Sequence, residues 1–250
     1  MQKLTLLEMV QDILSSMQCD SVSDIGETQD AEDVEKIIRA EYNALMAKDD
    51  WAHLKTATNL TAVGDSTKPT LMQVPTDVAE IEGVRYNKIT STETAPRWET
   101  VEYLTPAEFM ALMYERSTDN SSVSSYITAD GQSILYYNNQ APQFYTSFDD
   151  NYLVFDAIDT GVDTTLQSSK TIAEVIKTPT WTVDNAFIPD LPGRMFPTLL
   201  ARCRVVANEL INDRDIRNDA DTAKAGLNRL RHKQAVETKV TKRNYGRQTR

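Results

Sequence analysis

The sequence is poor in the residues from which most catalytic and cofactor sites are built. It has only two histidines, His53 and His232, which lie far apart and outside any Ser-His-Asp or Cys-His signature. The eight glycines form neither a G-x-G-x-x-G motif nor a phosphate-binding loop, and no acidic stretch matches a calcium loop. We therefore expect no enzymatic activity, no cofactor and no metal site.

Long apolar runs and paired cysteines are also missing. No stretch of eighteen apolar residues occurs, so no membrane-spanning segment is expected. Glu8 and Asp12 interrupt the first apolar segment, which argues against a signal peptide. Cys19 and Cys203 are too few for a disulfide framework, and we expect both to be reduced thiols in a protein made in the cytosol.

Charge is abundant but unevenly distributed. Residues 201–250 hold 13 basic and 6 acidic side chains, a net +7, so residues 1–200 must carry −18 of the overall −11. An acidic body with a basic C-terminal end is typical of a chain that carries an interaction arm.

The last twelve residues, KVTKRNYGRQTR, contain no acid and, from about residue 241, no periodicity. Three interpretations of this segment are open: a nucleic-acid arm in which Tyr245 stacks on a base, a frayed end without a role, or an arm that docks on an acidic groove of a partner. In the last case Gly246 would allow a tight bend.

Both ends of the chain have helical periodicity. Leu4, Leu7, Val10, Leu14 and Met17 recur at spacings of three and four, widened by Leu6 and Ile13, and a second helix buries Val34, Ile37, Ile38, Tyr42 and Leu45. From about Gly193 the chain becomes helical again, with Leu199, Cys203, Val206 and Leu210 on one face.

The middle of the chain is rich in strand formers and turns. Residues 124–139 predict a β-hairpin with a two-residue turn at Asp130–Gly131, and residues 142–158 predict another pair of strands. The strands VRYNKI and WETVEYL are predicted earlier in the chain, and one helix follows them before the hairpins. Thr105 is the predicted N-cap of this helix, Pro106 is its first residue, and Glu108 completes a capping box.

These patterns predict an α+β fold in which N- and C-terminal helices form a helical bundle, with an inserted β-rich domain and an extended basic tail. The predicted helical domain covers 1–54 and 191–240, the β-rich domain 55–190, and the tail 241–250.

Several short segments together resemble the head-to-tail adaptors, also called connector or tail tubular proteins, of short-tailed bacteriophages. They are LTLLEMVQDILSSM, AVGDSTKPTLMQVP, VRYNK, VEYLTPAEFM and the terminal RNYGR. The resemblance touches the chain from end to end, and GDSTKP followed by an apolar strand and Pro75 is its most individual element.

The resemblance implies a structural protein of the virion neck, made in the host cytoplasm. Such a protein binds the portal as a ring, expected to be dodecameric, receives a downstream tail or nozzle protein, and passes DNA through its channel only as cargo. It implies a portal-docking role for the matching positions Arg243, Asn244, Tyr245, Gly246 and Arg247, and the predicted docking set also includes the basic residues Lys239, Lys242 and Arg250.

Alternatives stay open at this point. A virion-associated polysaccharide or cell-wall hydrolase would use two carboxylates of the β-rich region, and a DNA-binding arm on an acidic scaffold would use the basic tail. The acidic excess would repel DNA from a channel wall, or would simply keep the free subunit in solution.

Overall fold

A computed structural model describes residues 3–49, 51–89, 95–128, 131–211 and 220–231. The chain divides into two compact units. The first unit comprises residues 1–54 together with 179–250, and the second comprises residues 55–178. The eight residues predicted to dock on a portal, and His232, lie outside the described residues.

The first unit is built on helices α1 (Leu6–Met17), α2 (Gln29–Met46) and α4 (Phe196–Ile211), and residues 220–231 are also helical. Thr5 and Glu8 form a capping box at the start of α1, and the Thr28 hydroxyl caps α2. The three named helices contact one another, and all five residues predicted to be buried on α2 are buried.

Ion pairs and one tryptophan hold this unit together. The two arginines of α4 pair with acids of the other helices, Arg202 with Glu41 and Arg204 with Asp12. Trp181, in the irregular segment before α4, donates its indole N–H to the buried Glu35 carboxylate at 2.9 Å. Its ring also packs 5.3 Å from that of Tyr42.

The described residues of the second unit form ten strands, one α-helix, α3 (Pro106–Tyr114), and one turn of 3-10 helix (Ser168–Lys170). The strands are β1 (Lys55–Thr58), β2 (Thr61–Ala62), β3 (Leu71–Gln73), β4 (Val78–Asn87), β5 (Trp98–Tyr103), β6 (Val123–Ile127), β7 (Ser133–Tyr137), β8 (Phe144–Ser147), β9 (Tyr152–Phe155) and β10 (Thr171–Lys177). Eight of them form one sheet in the order β1-β10-β4-β5-β8-β9-β3-β2, and β6 and β7 form a separate hairpin.

The eight-stranded sheet curls on itself. Its two outermost strands, β1 and β2, are separated by only two residues in the chain, so the edges of the sheet must approach to within about 10 Å. Side chains at and just before the start of β10 bind the chain around β2: Thr171 Oγ1 accepts from the Leu60 N–H at 3.2 Å, and Ser168 Oγ accepts from the Ala62 N–H at 2.8 Å. The curled sheet encloses a core that includes Met72, Val84, Phe109, Ile134 and Phe155.

The predicted fold class is wrong. The protein is mostly β, organised by the curled eight-stranded sheet, and a helical bundle with an inserted β-rich domain is not indicated. The sequence patterns gave the helices too large a part in the predicted fold, because the periodicity of a helix can be recognised within a single segment of the chain. The sheet depends on pairs such as Thr56 with Val175, which are more than a hundred residues apart and leave no local signal.

Several local predictions within the second unit are confirmed. The cap of α3 forms as expected, with Thr105, Pro106 and Glu108 in their predicted positions. Both predicted hairpins exist, as β6–β7 and β8–β9. In the first, Thr128 N–H donates to the Gln132 carbonyl at 2.8 Å, and Asp130 of the predicted two-residue turn lies outside the described residues.

Candidate functional site

One cavity of the second unit lies between the β6–β7 hairpin and the sheet. It has a volume of about 490 Å³, within the range of small-ligand sites. Apolar and aromatic side chains make up much of its lining, with two carboxylates, one amine and two neutral polar groups among them. The lining residues are Val63, Asp65, Lys68, Leu71, Tyr126, Thr128, Gln132, Phe148, Asp149, Tyr152 and Val154.

One wall of this cavity is the GDSTKP segment, the most individual element of the sequence. Gly64 has φ +72°, a left-handed conformation that glycine adopts without strain, and the next residues form a tight turn. Asp65 Oδ1 accepts hydrogen bonds from the Thr67 N–H at 2.8 Å and from the Thr67 hydroxyl at 2.7 Å. Lys68 N–H closes the turn by donating to the Asp65 carbonyl at 3.0 Å.

The opposite wall comes from the hairpin. The Tyr126 hydroxyl and Thr70 Oγ1 lie 3.0 Å apart inside the protein, which ties β6 to the residue before β3. Burial raises the pKa of Tyr126 to about 12, against a smaller opposing effect of the Thr70 hydrogen bond. The Tyr126 hydroxyl is therefore neutral at physiological pH and can donate or accept a hydrogen bond.

The β8–β9 turn completes the rim. Asp149 Oδ1 accepts from the Tyr152 N–H at 2.9 Å and from the Asn151 N–H at 3.1 Å, so this carboxylate stabilises the turn. Phe148 is 38% exposed and packs edge-on against Phe109, with ring centroids 6.4 Å apart. The Phe148 ring and the Asp149 carboxylate, which belong to consecutive residues, both line the cavity.

The side chains of this cavity are better suited to binding a ligand than to hydrolysing a glycoside. The Thr67 hydroxyl, together with its backbone N–H, lowers the pKa of Asp65, so this carboxyl is ionised at neutral pH and is a poor proton donor. A glycoside hydrolase needs one carboxyl that retains its proton, which Asp65 does not do. The arrangement can bind a side chain or a small polar ligand through an apolar floor and a charged rim.

The second unit also contains a buried ion pair that sequence reasoning missed. Arg116 follows α3 and Asp156 follows β9, and their side chains meet inside the protein. The two residues are forty positions apart, and neither belongs to a recognisable motif. Only knowledge of the β-sheet pairing would have predicted their contact.

His53 and the two cysteines, which were also singled out in the sequence, are not among the residues that line the cavity beside GDSTKP. His53 Nε2 lies 3.0 Å from the Asp190 carbonyl, which can only accept, so this nitrogen carries the proton. Cys203 is buried in α4 and Cys19 is partly exposed, and both thiols are free. Among the described residues, no group of three or more His, Cys, Asp or Glu side chains is placed to hold a metal ion.

Comparison with known proteins assigns no family. No family description matches the chain. No curated protein matches it significantly. Within the described part of the chain, no helix is both long enough and apolar enough to cross a membrane.

Proposed function

We propose that this protein is a structural adaptor of a bacteriophage virion, located in the neck between capsid and tail. In this role it binds the portal as a homo-oligomeric ring, expected to be a dodecamer, and receives a downstream tail or nozzle protein on its other side. The ring forms part of the channel through which DNA leaves the capsid.

The separation of charge along the chain is the observation that carries this proposal. Residues 1–200 hold −18 and residues 201–250 hold +7. The first two arginines of the basic region, Arg202 and Arg204, are paired with acids of α2 and α1. They hold the first unit together, so the charge available to a partner is expected from residues further along the chain.

The basic end provides that charge. Lys239, Lys242, Arg243, Arg247 and Arg250 surround one aromatic residue and one glycine, without any acid. Such a segment can clamp an acidic face of the portal, with the Tyr245 ring as an apolar anchor. The resemblance of the RNYGR segment to adaptor termini supports the same role.

The acidic body has a function of its own in this account. Negative charge on a channel wall repels the DNA phosphates, so the DNA passes without adhering to the ring. An adaptor of this kind should bind duplex DNA weakly even at low salt, whereas a DNA-binding arm should bind it strongly and lose affinity steeply as salt rises.

Native mass spectrometry tests the proposal. The full chain is mixed with purified portal rings of the same virus, and in a separate sample with a 30-base-pair duplex. A ring of chains on each portal, together with no stable duplex complex, is the expected result. A stable duplex complex without portal binding would show instead that the basic end is a nucleic-acid arm.

A further inference from the structure

We propose that a cleft beside β4 binds an extended, basic segment of a partner chain as an added β-strand. The feature behind this proposal is the uneven pairing of β4. On one side β10 pairs with it from Val78 to Tyr86, but on the other side β5 pairs only with Val84 to Asn87.

Within the described part of the chain, the other edge of β4 is unpaired over its first residues because β5 pairs first with β4 and then with β8. The last residues of β5, Glu102 and Tyr103, pair in parallel with Phe144 and Tyr145 of β8. Two register shifts in the β4–β10 ladder, which mark bulges, bend the same half of β4. Among the described residues, no strand pairs with this edge of β4 between Val78 and Gly83.

A cleft of about 520 Å³ lies at this unpaired edge. Five consecutive residues of β4, Val78 to Glu82, line it. These residues belong to the stretch of β4 that β5 leaves unpaired, and they extend along the cleft for about 17 Å. Ser147 and Leu153 of the β8–β9 hairpin form the opposite side.

The chemistry of the cleft selects a basic segment. Its charged lining residues are all acidic: Glu80, Glu82 and Asp150. Lys55 pairs with Glu82 from outside the lining, which leaves Glu80 and Asp150 as the main negative charges. Acidic groups beside an open edge deter neutral and acidic strands, and they attract a segment that carries lysine or arginine.

Apolar contacts are available between these charges. Val78, Ile81 and Leu153 line the cleft, and Tyr103, which is 53% exposed, stands where β5 leaves β4. The Tyr103 ring packs edge-on against the Tyr145 ring, with centroids 5.5 Å apart. This contact fixes the position of an exposed aromatic ring that an incoming strand could contact. Backbone hydrogen bonds would provide affinity, and alternating basic and apolar side chains would provide specificity.

Fluorescence anisotropy with three labelled peptides tests the proposal on the full chain. The first peptide has eight residues of alternating lysine and valine, and the second has glutamate in place of lysine. The third has the first sequence with alternate backbone nitrogens methylated, which keeps the charge but prevents strand pairing. Only the first should bind well, at least tenfold more tightly than either of the others.

Variants locate the binding site. Glu80→Gln with Asp150→Asn should weaken binding of the first peptide about fivefold, since each removes one exposed charge. Asparagine also tolerates the left-handed φ of +59° at position 150. Glu115→Gln, an exposed acid at the end of α3, is the matched control and should leave binding unchanged.

Hydrogen exchange gives an independent result. The first peptide should slow amide exchange within residues 78–83 and leave α3 unaffected. The proposal is overturned if no peptide binds, if the methylated peptide binds as well as the first, or if the double variant binds as well as the wild type. None of these outcomes depends on a portal, so the inference and the proposed function can fail separately.

Discussion

Arg116 and Asp156 form an ion pair whose side chains are only 4% and 2% exposed, with Nη2 3.0 Å from Oδ2. Each partner also makes further contacts. The other carboxylate oxygen, Oδ1, accepts the N–H groups of Gln143 and Phe144 at 2.9 and 3.0 Å. The guanidinium lies 4.2 Å from the centre of the Tyr137 ring. This pair joins α3, the hairpin and the sheet within the second unit.

Asp156→Asn should destabilise the second unit by about 3 kcal/mol, because it leaves the Arg116 charge buried without its counter-charge. Urea unfolding followed by tyrosine fluorescence measures the loss, with the slope of the transition checked for two-state behaviour. Asp33→Asn, which removes an ion pair with Lys36 whose side chains are 43% and 61% exposed, is the matched control and should change stability little. Equal effects of the two variants would contradict the structural role of the buried pair.

Gly226→Ala should destabilise the first unit by about 1–3 kcal/mol through overpacking. A Cβ at this position would lie 2.4 Å from Oγ1 of Thr198, a buried residue of α4. Thr198→Ala removes that oxygen and the adjacent methyl group. In a Thr198→Ala background only the Cβ of residue 198 stays close, at 3.2 Å, so the glycine substitution should cost clearly less than in the wild type. Thermal unfolding of the four proteins in this double-mutant cycle measures the coupling.

How much of this could be predicted depends on how local each signal is. The helix cap at Thr105 and the buried face of α2 were predictable because each depends on residues within one or two turns. The curled sheet was not, because β1 pairs with β10 across the whole unit. The cavity beside GDSTKP was predictable only in part. Its turn at Gly64 and Asp65 depends on neighbouring residues, whereas Tyr126 on the opposite wall is distant in sequence.

His53 should make the protein less stable in mild acid. Burial lowers the pKa of His53 from 6.5, against a smaller opposing effect of Asp190. The unfolded chain therefore takes up a proton at a higher pH than the folded protein does, and stability is lost as pH falls below about 6.5. His53→Gln, which can still donate to the Asp190 carbonyl, should reduce the fall in melting temperature between pH 7.5 and 5.5.

The wild type and the His53→Gln variant share every carboxylate, so the difference between their two pH profiles isolates the histidine. Parallel profiles across this range would show that His53 does not titrate differently in the folded and unfolded protein.

The two thiols should differ sharply in reactivity. Burial raises the pKa of the Cys203 thiol in α4 far above its usual value, so little reactive thiolate forms. Cys19 is partly exposed, and its pKa is raised by modest burial and by nearby Asp30 and Asp20. A chromogenic disulfide reagent should modify one thiol in the native protein and a second only after denaturation. Rapid modification of both thiols in the native state would contradict the packing of α4.

Portal binding by the full chain and by a version ending at Val240 tests the central claim most directly. Each protein is mixed with purified portal rings and analysed by size-exclusion chromatography. The adaptor account predicts that the full chain co-elutes with the portal and that the shortened chain does so weakly or not at all, because the basic clamp is missing. Equal binding of both would contradict the docking role of residues 241–250, and failure of both to bind would contradict the adaptor function itself.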